Sequence, residues 1–272
     1  MKKFLTLILS TLLILVLAAC GGSDDDGNAS DGGESSGDSE YDLVEEGKFT
    51  FATSGEFKPF SMTNDSGDLA GFDIDVGTAI AEELGLEPNP QKFKFASIVE
   101  GVKTGRFDAA VASHTITEER AEQVDFSTPY YYSGAQIFTA PGSDIESLDD
   151  LEGKEIAVSQ GSTYAGIAEE VTDNIQVYDS DVVALQSLAK GRHDAVITDF
   201  LTGAIAIEDG GLEIEAKERL DNSEQAIAVN KENDKLLEAI NEALETLRED
   251  GKLEEISKTY FESQDDITKQ PE

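Results

Sequence analysis

The stretch GRFDAAVASHTITEERAEQVDFSTPYYYSG, residues 105–134, combines a predicted strand, a polar turn and the start of a helix. Residues 107–112 form a short apolar segment between polar residues, which is typical of a strand buried in a parallel sheet. We expect this strand to end near Ser113. Ser113 and Thr115 then supply hydroxyls beside a helix N-terminus, and Arg120 adds a guanidinium one turn later. Such a combination favours the binding of an anion.

A second copy of this pattern lies further along the chain. The sequence GRFDA at residues 105–109 is echoed by GRHDA at residues 191–195, and Ser113 and Asp199 each lie eight residues beyond their glycine. Ligands of open α/β sheets bind outside the carboxyl ends of the strands. Two such ends facing each other would present hydroxyls and a cation from one side and a carboxylate from the other, as an amino acid zwitterion requires. The alternative is two ordinary strand-to-helix turns of a doubly wound fold.

The composition narrows the classes of protein. The chain has 272 residues, with 57 acidic and 20 basic side chains and a formal net charge of -37. This charge repels nucleic acid and anionic membrane surfaces, and it indicates a protein adapted to high salt or high pH. The length allows one large or two modest domains. Hydrophobic residues make up 39% and occur in periodic segments, so we expect the central part of the chain to fold.

Metal, disulfide and cofactor sites are not expected. Cys20 is the only cysteine, and the two histidines, His114 and His193, cannot form a metal site by themselves. No acidic segment has the spacing of an EF-hand loop. We also see no nucleophile beside a base, and neither histidine has a partner that the sequence identifies. These observations favour a binding protein over an enzyme.

The N-terminal segment predicts export and anchoring. Lys2 and Lys3 precede an apolar run at residues 4–19, which is typical of a signal peptide over residues 1–19. LAAC at residues 17–20 resembles the lipobox of bacterial lipoproteins, which implies cleavage before Cys20 and acylation of that cysteine. The alternative is a conventional signal peptide with a fortuitous cysteine. Residues 20–41 are predicted to be a flexible tether, since residues 21–40 contain seven acids and no base.

The rest of the chain alternates predicted strands and helices. Strands are predicted at residues 49–53, 93–95, 107–112, 136–139, 154–159, 175–178 and 226–229, and one further strand is predicted to end at Asp199. Helices are predicted after Gly71, at residues 98–104, after Ser162, after Asp181, and at residues 234–249 and 252–261. Alternation of this kind indicates an α/β fold.

Six motifs together resemble a known family. They are FKPF at residues 57–60, GFDID at 71–75, ITEER at 116–120, DFSTPYY at 125–131, QGST at 160–163 and GRHDAV at 191–196. Their order and spacing resemble the substrate-binding proteins of polar amino-acid ABC transporters, family 3, over residues 49–261. The resemblance implies a two-lobed periplasmic-binding-protein-like fold of type II, with a mixed sheet flanked by helices in each lobe. It places lobe I at residues 42–131 and 228–265, lobe II at 135–222, hinge crossings at 130–134 and 223–227, and a polar tail at 266–272.

The resemblance also implies ligand contacts from both lobes. Arg120 is the implied partner of the ligand α-carboxylate, and Asp199 is the implied partner of its α-ammonium group. Phe57 and Phe95 are implied as aromatic walls around the ligand side chain, with plain core packing as the alternative, and Phe93 competes with Phe95 for this role. The full implied set is Arg120, Asp199, Ser113, Thr115, Ser162, Thr163, Phe57 and Phe95.

Four further residues are candidate contacts. Some relatives that take basic amino acids carry an acid at the position of Ser54, so this serine favours a neutral polar or mildly charged ligand. Glu56 could supply a charge instead, although a solvated loop acid is the simpler interpretation. His114 is expected to point away from the ligand, and Thr198 is expected to make a minor contact only.

The expected function is therefore the capture of a polar amino acid and its delivery to an ABC permease in the membrane. We expect a monomer without cofactors, which lies outside the cell membrane and touches it only through the lipid anchor. One alternative is a dehydratase acting on amino-acid-like substrates, since the same fold hosts such enzymes. Another is the ligand-binding lobe of a larger sensor.

Overall fold

Two mixed β-sheets with helices on both faces form the described part of the chain, residues 41–271 of a computed structural model. The predicted signal peptide, Cys20 and residues 21–40 of the predicted tether lie outside the described residues. In chain order the strands are β1 (Lys48–Thr53), β2 (Glu56–Phe57), β3 (Ser61–Thr63), β4 (Leu69–Ala70), β5 (Glu87–Lys92), β6 (Ala109–Thr115), β7 (Asp125–Phe126), β8 (Tyr131–Ser133), β9 (Ala135–Thr139), β10 (Ile156–Ser159), β11 (Ile175–Tyr178), β12 (Ala195–Asp199), β13 (Glu215–Arg219) and β14 (Ser223–Val229). The helices are α1 (Phe72–Glu83), α2 (Ile98–Lys103), α3 (Glu118–Ala121), α4 (Thr163–Glu169), α5 (Asp181–Ala189), α6 (Phe200–Glu208), α7 (Asp234–Glu249) and α8 (Lys252–Tyr260), with 3-10 turns at Phe95–Ser97 and Leu148–Leu151.

The first sheet, which with its helices is lobe I, has the order β5-β1-β6-β14-β7, and β8 also pairs with β14. Strands β5, β1 and β6 are parallel, whereas β14 runs antiparallel to β6. The central strands β1, β6 and β14 are largely buried, and their successive side chains point to opposite faces of the sheet. Ala109 and Val111 of β6 join the cluster under α1, α7 and α8, and Ala110 and Ala112 join the cluster under α2.

The second sheet, which with its helices is lobe II, has the order β11-β10-β12-β9-β13. Strands β10, β11 and β12 are parallel, and β9 is antiparallel to both of its neighbours. The alternation of lobe I recurs here. Ile156 and Val158 of β10 face the cluster that includes α4, and Ala157 faces the cluster that includes α5. The predicted two-lobed α/β architecture with a mixed sheet in each lobe is confirmed.

Two neighbouring strands carry the chain between the sheets. The chain leaves the first sheet at β8 and enters the second at β9, with only Gly134 between them. It returns through residues 220–222 into β14, which pairs with β8 through the register Ser133↔Ser223. The two connections therefore lie side by side and are joined by backbone hydrogen bonds.

One edge strand lies away from its predicted position. We expected a strand at residues 93–95, but the strand β5 is the polar segment EPNPQK, and Phe95 begins a 3-10 turn. Pro88 and Pro90 have no N–H to donate, which an edge strand tolerates because only one of its sides is paired. The strand β5 pairs only with β1. Phe93 and Phe95, which gave the aromatic pattern, pack instead against the hydrophobic cluster that contains Phe107, on one face of the sheet.

Several elements have no counterpart in the prediction. They are the small antiparallel sheet of β2, β3 and β4, the short strands β7 and β8, the helix α6 and the strand β13 at the edge of lobe II. The strand β6 also continues to Thr115, two residues beyond its predicted end at Ser113. Among residues 41–271, the helices are all too short or too polar to cross a membrane.

Candidate ligand-binding site

A cavity lies where strands of both sheets end. Ser54 follows β1, Ser113 and Thr115 are near the end of β6, and Ser159 is the last residue of β10. This position agrees with the rule that open α/β sheets bind ligands at the carboxyl ends of their strands. The lining side chains are Ser54, Glu56, Phe57, Phe95, Ser113, Thr115, Arg120, Ser159, Gln160, Ser162, Thr163, Tyr164, Asp179, Ser180 and Asp181.

Ser113 is held in an unusual backbone conformation at the edge of the cavity. Its φ of 57° lies in the left-handed region, which is uncommon for a residue with a Cβ. Three hydrogen bonds stabilise it. The Ser113 N–H donates to the Tyr130 hydroxyl (2.9 Å), and the Tyr130 hydroxyl (2.6 Å) and Ser113 Oγ (2.9 Å) each donate to the carboxylate of Asp73. Burial raises the pKa of Asp73 to about 7, although these two hydroxyl donors act to lower it.

Arg120 brings the positive charge to the cavity. Its Nη1 donates to the carbonyl of Thr115 at 2.8 Å, and its Nη2 donates across the cleft to the carbonyl of Gly161 at 3.0 Å. The one-turn helix α3 positions it, and Thr117 caps that helix by accepting from the Arg120 N–H at 3.2 Å. Burial lowers the pKa of the guanidinium. Within residues 41–271, no carboxylate lies within salt-bridge distance of Arg120, so its charge is held by neutral groups.

The start of α4 closes the cavity from lobe II. Ser162 precedes the helix, and its Oγ donates to the carbonyl of Ser159 at 2.8 Å instead of capping the helix. The first amides of α4 thus receive no side-chain cap from Ser162 and remain available to an anion. Gly161 approaches lobe I closely, since a Cβ built on it would lie 2.9 Å from the Cα of Ala96. The two lobes therefore touch at this edge.

The predicted aromatic residues line the cavity from lobe I. Phe57 stacks on Phe60, with ring centroids 4.9 Å apart. Phe95 stacks on His114 at 4.6 Å with an interplanar angle of 15°, and the Arg120 guanidinium lies 5.8 Å from the Phe95 ring centroid. Phe93 instead contacts Phe107 and lies outside the cavity lining.

His114 lies behind this wall and does not line the cavity. It is 1% exposed, and its Nδ1 is buried without a hydrogen-bond partner among the described residues. Burial, followed by the charge of Arg120, lowers its pKa well below the usual value. His114 is thus a neutral support for Phe95.

Ser54 and Glu56 reach the cavity, but both already have polar partners. Ser54 Oγ lies 2.9 Å from Ser61 Oγ and accepts from the Glu56 N–H at 3.2 Å. The carboxylate of Glu56 forms an ion pair with Lys92 at 2.9 Å. Ser54 therefore supplies a hydroxyl and no charge, and the charge of Glu56 is balanced within lobe I.

Asp199 and Thr198 are placed outside the cavity lining. Asp199 is 1% exposed and accepts hydrogen bonds from Ser133 Oγ and from the Thr202 N–H, the latter at 3.0 Å, as the cap of α6. Burial raises its pKa to about 6. Burial raises the pKa of the lining residue Tyr164, and the charge of Asp199 adds to this shift. Thr198 Oγ1 donates to Asp181 at 2.6 Å.

Asp181 and Tyr164 are lining residues that the sequence reasoning missed. Asp181 begins α5 and is 8% exposed, and burial raises its pKa. Tyr164 lies in the first turn of α4, and the charges of Asp199, Asp181 and Arg120 all act on its phenol. The position of Asp181 could have been found, because the sequence DSD at residues 179–181 directly follows the predicted strand at 175–178.

His193 has partners that the sequence did not reveal, so the expectation that neither histidine has one is wrong for this residue. Its Nδ1 lies 2.7 Å from a carboxylate oxygen of Glu155, and its Nε2 lies 2.6 Å from the Tyr178 hydroxyl and 3.1 Å from Ser187 Oγ. Ser187 is 3% exposed, and none of these side chains lines the cavity. The cluster ties the end of α5 to its sheet. Among residues 41–271, there is also no group of three or more side chains suited to a metal ion.

A two-lobed fold with a polar cavity between the lobes is typical of extracytoplasmic solute-binding proteins. The chain belongs to the bacterial extracellular solute-binding proteins, family 3, whose model matches residues 49–263. It is 31% identical over 232 residues to the L-cystine-binding protein TcyJ of Escherichia coli, covering 84% of this chain and 86% of that protein. It is also 31% identical to the probable amino-acid-binding protein YxeM of Bacillus subtilis, covering 98% of this chain and 97% of that protein.

A solved structure with a bound amino acid is also similar. An ancestral arginine-binding protein bound to glutamine matches with a TM-score of 0.74 and 36% identity, covering 80% of this chain and 99% of that chain. All three relatives are named as binding proteins. The predictions of the family, of the fold and of a binding protein rather than an enzyme are confirmed.

Proposed function

We propose that this chain captures a polar α-amino acid between its lobes and delivers it to the permease of an ABC transporter. The observation that carries the proposal is the guanidinium of Arg120, which faces the cavity and, within residues 41–271, forms hydrogen bonds only to backbone carbonyls, one from each lobe. A cation without a carboxylate partner favours an anionic ligand group, and a guanidinium can hold a carboxylate through two parallel hydrogen bonds. The binding of cystine and glutamine by relatives supports an amino acid as the ligand.

The other proposed contacts are divided between the lobes. The ligand carboxylate lies against Arg120, with Ser113 and Thr115 from lobe I and the start of α4 at Ser162 and Thr163 from lobe II. Asp199 is proposed as the partner of the α-ammonium group, next to Tyr164. Phe57 and Phe95 enclose the ligand side chain.

We also propose that the lobes open and close about the two crossings, residues 130–134 and 223–227. Binding groups on opposite lobes can act together only in a closed form. Small-angle scattering should then give a smaller radius of gyration with saturating ligand than for verified ligand-free protein. Equal profiles for the two states would contradict hinge closure.

The N-terminal segment suits delivery at a membrane. We propose that Cys20 is acylated after removal of residues 1–19, and that the acidic residues 21–40 tether the binding lobes to the outer face of the cell membrane. The acidic composition suits a halophile or alkaliphile. A Cys20→Ser variant should be found in the medium, whereas the native chain should fractionate with membranes.

Thermal-shift screening of ligand-free protein tests the proposed function. A ligand present at about 100 times its dissociation constant stabilises the folded state by about 2.7 kcal/mol. We expect at least one polar L-amino acid to raise the melting temperature, while the D-enantiomer at the same concentration does not. If only sugars or metal ions raised it, the proposal would be wrong.

A further inference from the structure

The cavity lining contains a buried negative charge that the zwitterion of an amino acid does not require. Of the lining acids Glu56, Asp179 and Asp181, only Asp181 is buried. If Arg120 takes the carboxylate and Asp199 takes the ammonium group, as proposed above, the backbone part of the ligand is fully paired. Asp181 then remains as an additional carboxylate on the lobe II wall. A charged side chain is almost never buried unless something pairs with it.

Hydroxyl groups fix the orientation of this carboxylate. Asp181 Oδ1 accepts from Ser159 Oγ at 2.8 Å and from Thr198 Oγ1 at 2.6 Å, and these residues stand at the ends of β10 and β12. Both donors are buried. Two hydrogen bonds on one oxygen prevent rotation of the group and direct Oδ2 elsewhere.

The second carboxylate oxygen has no partner from another residue. Within the described part of the chain, no side chain or backbone group of another residue donates to Asp181 Oδ2, and no lysine or arginine lies within salt-bridge distance of Asp181. The carboxylate also receives a hydrogen bond from the backbone N–H of Asp181 itself, and the residue is 8% exposed where it lines the cavity. A buried carboxylate that lines a cavity and has no cation is compensated best by a cation that arrives with the ligand.

The surroundings place this carboxylate beside the ligand side chain. The helix α5, which begins with Asp181, lies against β2 of lobe I, which carries Glu56 and the aromatic wall residue Phe57. Glu56 is paired with Lys92, and Ser54 carries no charge. Asp179 also lines this end of the cavity, but it is exposed to solvent. Asp181 is therefore the buried carboxylate of the lining, and within residues 41–271 it has no cationic partner.

We infer that Asp181 is a specificity-determining residue that binds a cationic nitrogen at the end of the ligand side chain. The inference rests on the proposed amino-acid-binding function and narrows it to basic amino acids. It revises the expectation of a neutral polar or mildly charged ligand, which was based on the pairing of the zwitterion with Arg120 and Asp199 and on the lack of a charge at Ser54.

Calorimetric titration with matched ligand pairs tests the inference. L-Arginine is compared with L-citrulline, and L-lysine with L-norleucine, because each pair differs mainly in the side-chain cation. The native chain should bind the cationic member of at least one pair about tenfold or more tightly than the neutral member. The reason is that hydrogen bonds to charged groups are stronger than contacts between neutral groups. In Asp181→Asn, which retains an acceptor for Ser159 and Thr198, this preference should fall below about threefold, and the neutral partner should bind nearly as before.

A matched control separates local from general charge effects. Asp173→Asn removes one exposed carboxylate of lobe II outside the cavity and should keep the full preference for the cation. The inference is overturned if native protein shows no preference for either cation, if the preference survives in Asp181→Asn, or if that variant weakens all amino acids equally. The last result would assign Asp181 to the α-ammonium group. If native protein bound no amino acid at all, the proposed function itself would fail.

Discussion

The two echoed strand ends, Ser113 in lobe I and Asp199 in lobe II, occupy the same place in the sequence pattern and have different surroundings. Each forms one half of a buried hydroxyl–carboxylate pair, but the roles are exchanged. In lobe I the strand supplies the hydroxyl of Ser113, and α1 supplies the carboxylate of Asp73. In lobe II the strand supplies the carboxylate of Asp199, and β8 supplies the hydroxyl of Ser133. The echo therefore predicts where the backbone lies and does not predict which group meets the ligand.

The backbone after each strand end explains the difference. The strand β6 continues two residues past Ser113 to Thr115. Ser113 therefore lies within the strand, and its left-handed φ reorients its side chain next to the cavity. The strand β12 stops at Asp199, which has an ordinary φ of -59° and caps α6. An N-cap carboxylate directs its oxygens toward helix amides. That geometry leaves Asp181, on the neighbouring helix, as the buried lobe II carboxylate that lines the cavity, next to the exposed Asp179.

The largest expected effect is the loss of ligand affinity when the guanidinium of Arg120, on the lobe I side, is removed. Removing one partner of a buried, hydrogen-bonded charge pair typically costs about 2–5 kcal/mol of binding free energy. Arg120→Ala should weaken amino acid binding by an amount in this range, and Arg120→Lys by less, since lysine keeps the charge and loses the two-pronged geometry. Isothermal titration calorimetry measures both affinities.

Ligand-free melting completes this test. Arg120 has no ion-pair partner among the described residues, so both variants should melt close to the native chain. Arg106→Ala is the matched control, because it removes an exposed guanidinium of the same lobe that lies over Phe93 at 4.4 Å. Near-native affinity in Arg120→Ala would overturn its assignment, and a large loss in Arg106→Ala would show that net charge alone governs binding.

The buried carboxylates Asp73 and Asp199 predict a pH dependence that differs between the lobes. Burial raises the pKa of Asp73 from 3.8 to about 7 and that of Asp199 from 3.8 to about 6. A raised pKa stabilises the folded state at a pH below the unfolded value, and this contribution is lost as pH rises through the folded value. Asp73→Asn should therefore reduce the fall in ligand-free stability between about pH 4 and pH 7, and Asp199→Asn the fall between about pH 4 and pH 6.

The readout is the slope of unfolding free energy with pH, measured by urea denaturation. Absolute stability is a poor readout here, because asparagine cannot reproduce both hydrogen bonds that Asp73 accepts. Exposed Asp149→Asn is a control that should keep the native slope. Slopes that stay unchanged in both buried variants would show that neither carboxyl titrates in this range.

Sequence reasoning located the lobe I half of the site more fully than the lobe II half. The strand end, the turn and the guanidinium of lobe I lie within one stretch, so local spacing places Ser113, Thr115 and Arg120 together. In lobe II the lining residues come from the separate segments that follow β10 and β11, and only the tertiary arrangement of parallel strands brings Ser159 and Asp181 into contact. An aspartate at a helix start also has an ordinary interpretation as a helix-dipole partner.

The limits of the fold prediction have similar causes. Amphipathic helices such as α7 have a clear period, and buried strands such as β10 have continuous apolar runs, so both were found. The strand β5 contains two prolines and no aliphatic residue, and β13 is the polar segment EAKER. Each is an edge strand whose pairing depends on one neighbour, and its own residues carry no periodic signal.

A smaller effect is expected where the two lobes touch. Gly161 has a φ of 77°, and an added Cβ would lie 2.9 Å from Ala96 of lobe I. Gly161→Ala should therefore hinder closure and weaken ligand binding by about tenfold, the cost of a modest overpacking. Gly142→Ala is a matched control, because Gly142 has a φ of 78° and no atom within 4 Å of an added Cβ.

The two alanine variants separate backbone strain from contact between the lobes. Both place a Cβ in the left-handed region, so both should lose about 1 kcal/mol of ligand-free stability. Only Gly161→Ala should lose affinity in calorimetric titration. Equal affinities for the two variants would mean that the ligand-bound form does not bring Gly161 and Ala96 together.

The smallest expected effect is that of salt, which acts on both lobes alike. The chain carries a net charge of -37, and its cations are shared: Lys217 contacts both Glu146 and Glu215, and Lys269 contacts both Glu254 and Asp266. Most acids therefore repel other acids without a cation between them.

The screening length is about 10 Å at 0.1 M and about 3 Å at 1 M ionic strength, so sodium chloride should raise the ligand-free melting temperature mainly over this interval. Sucrose at equal osmolality should not reproduce the initial rise, because it does not screen charge. A melting temperature that stayed flat up to 1 M would show that the acidic side chains are spaced widely enough to need no screening, and it would remove the physical basis for linking this composition to a saline habitat.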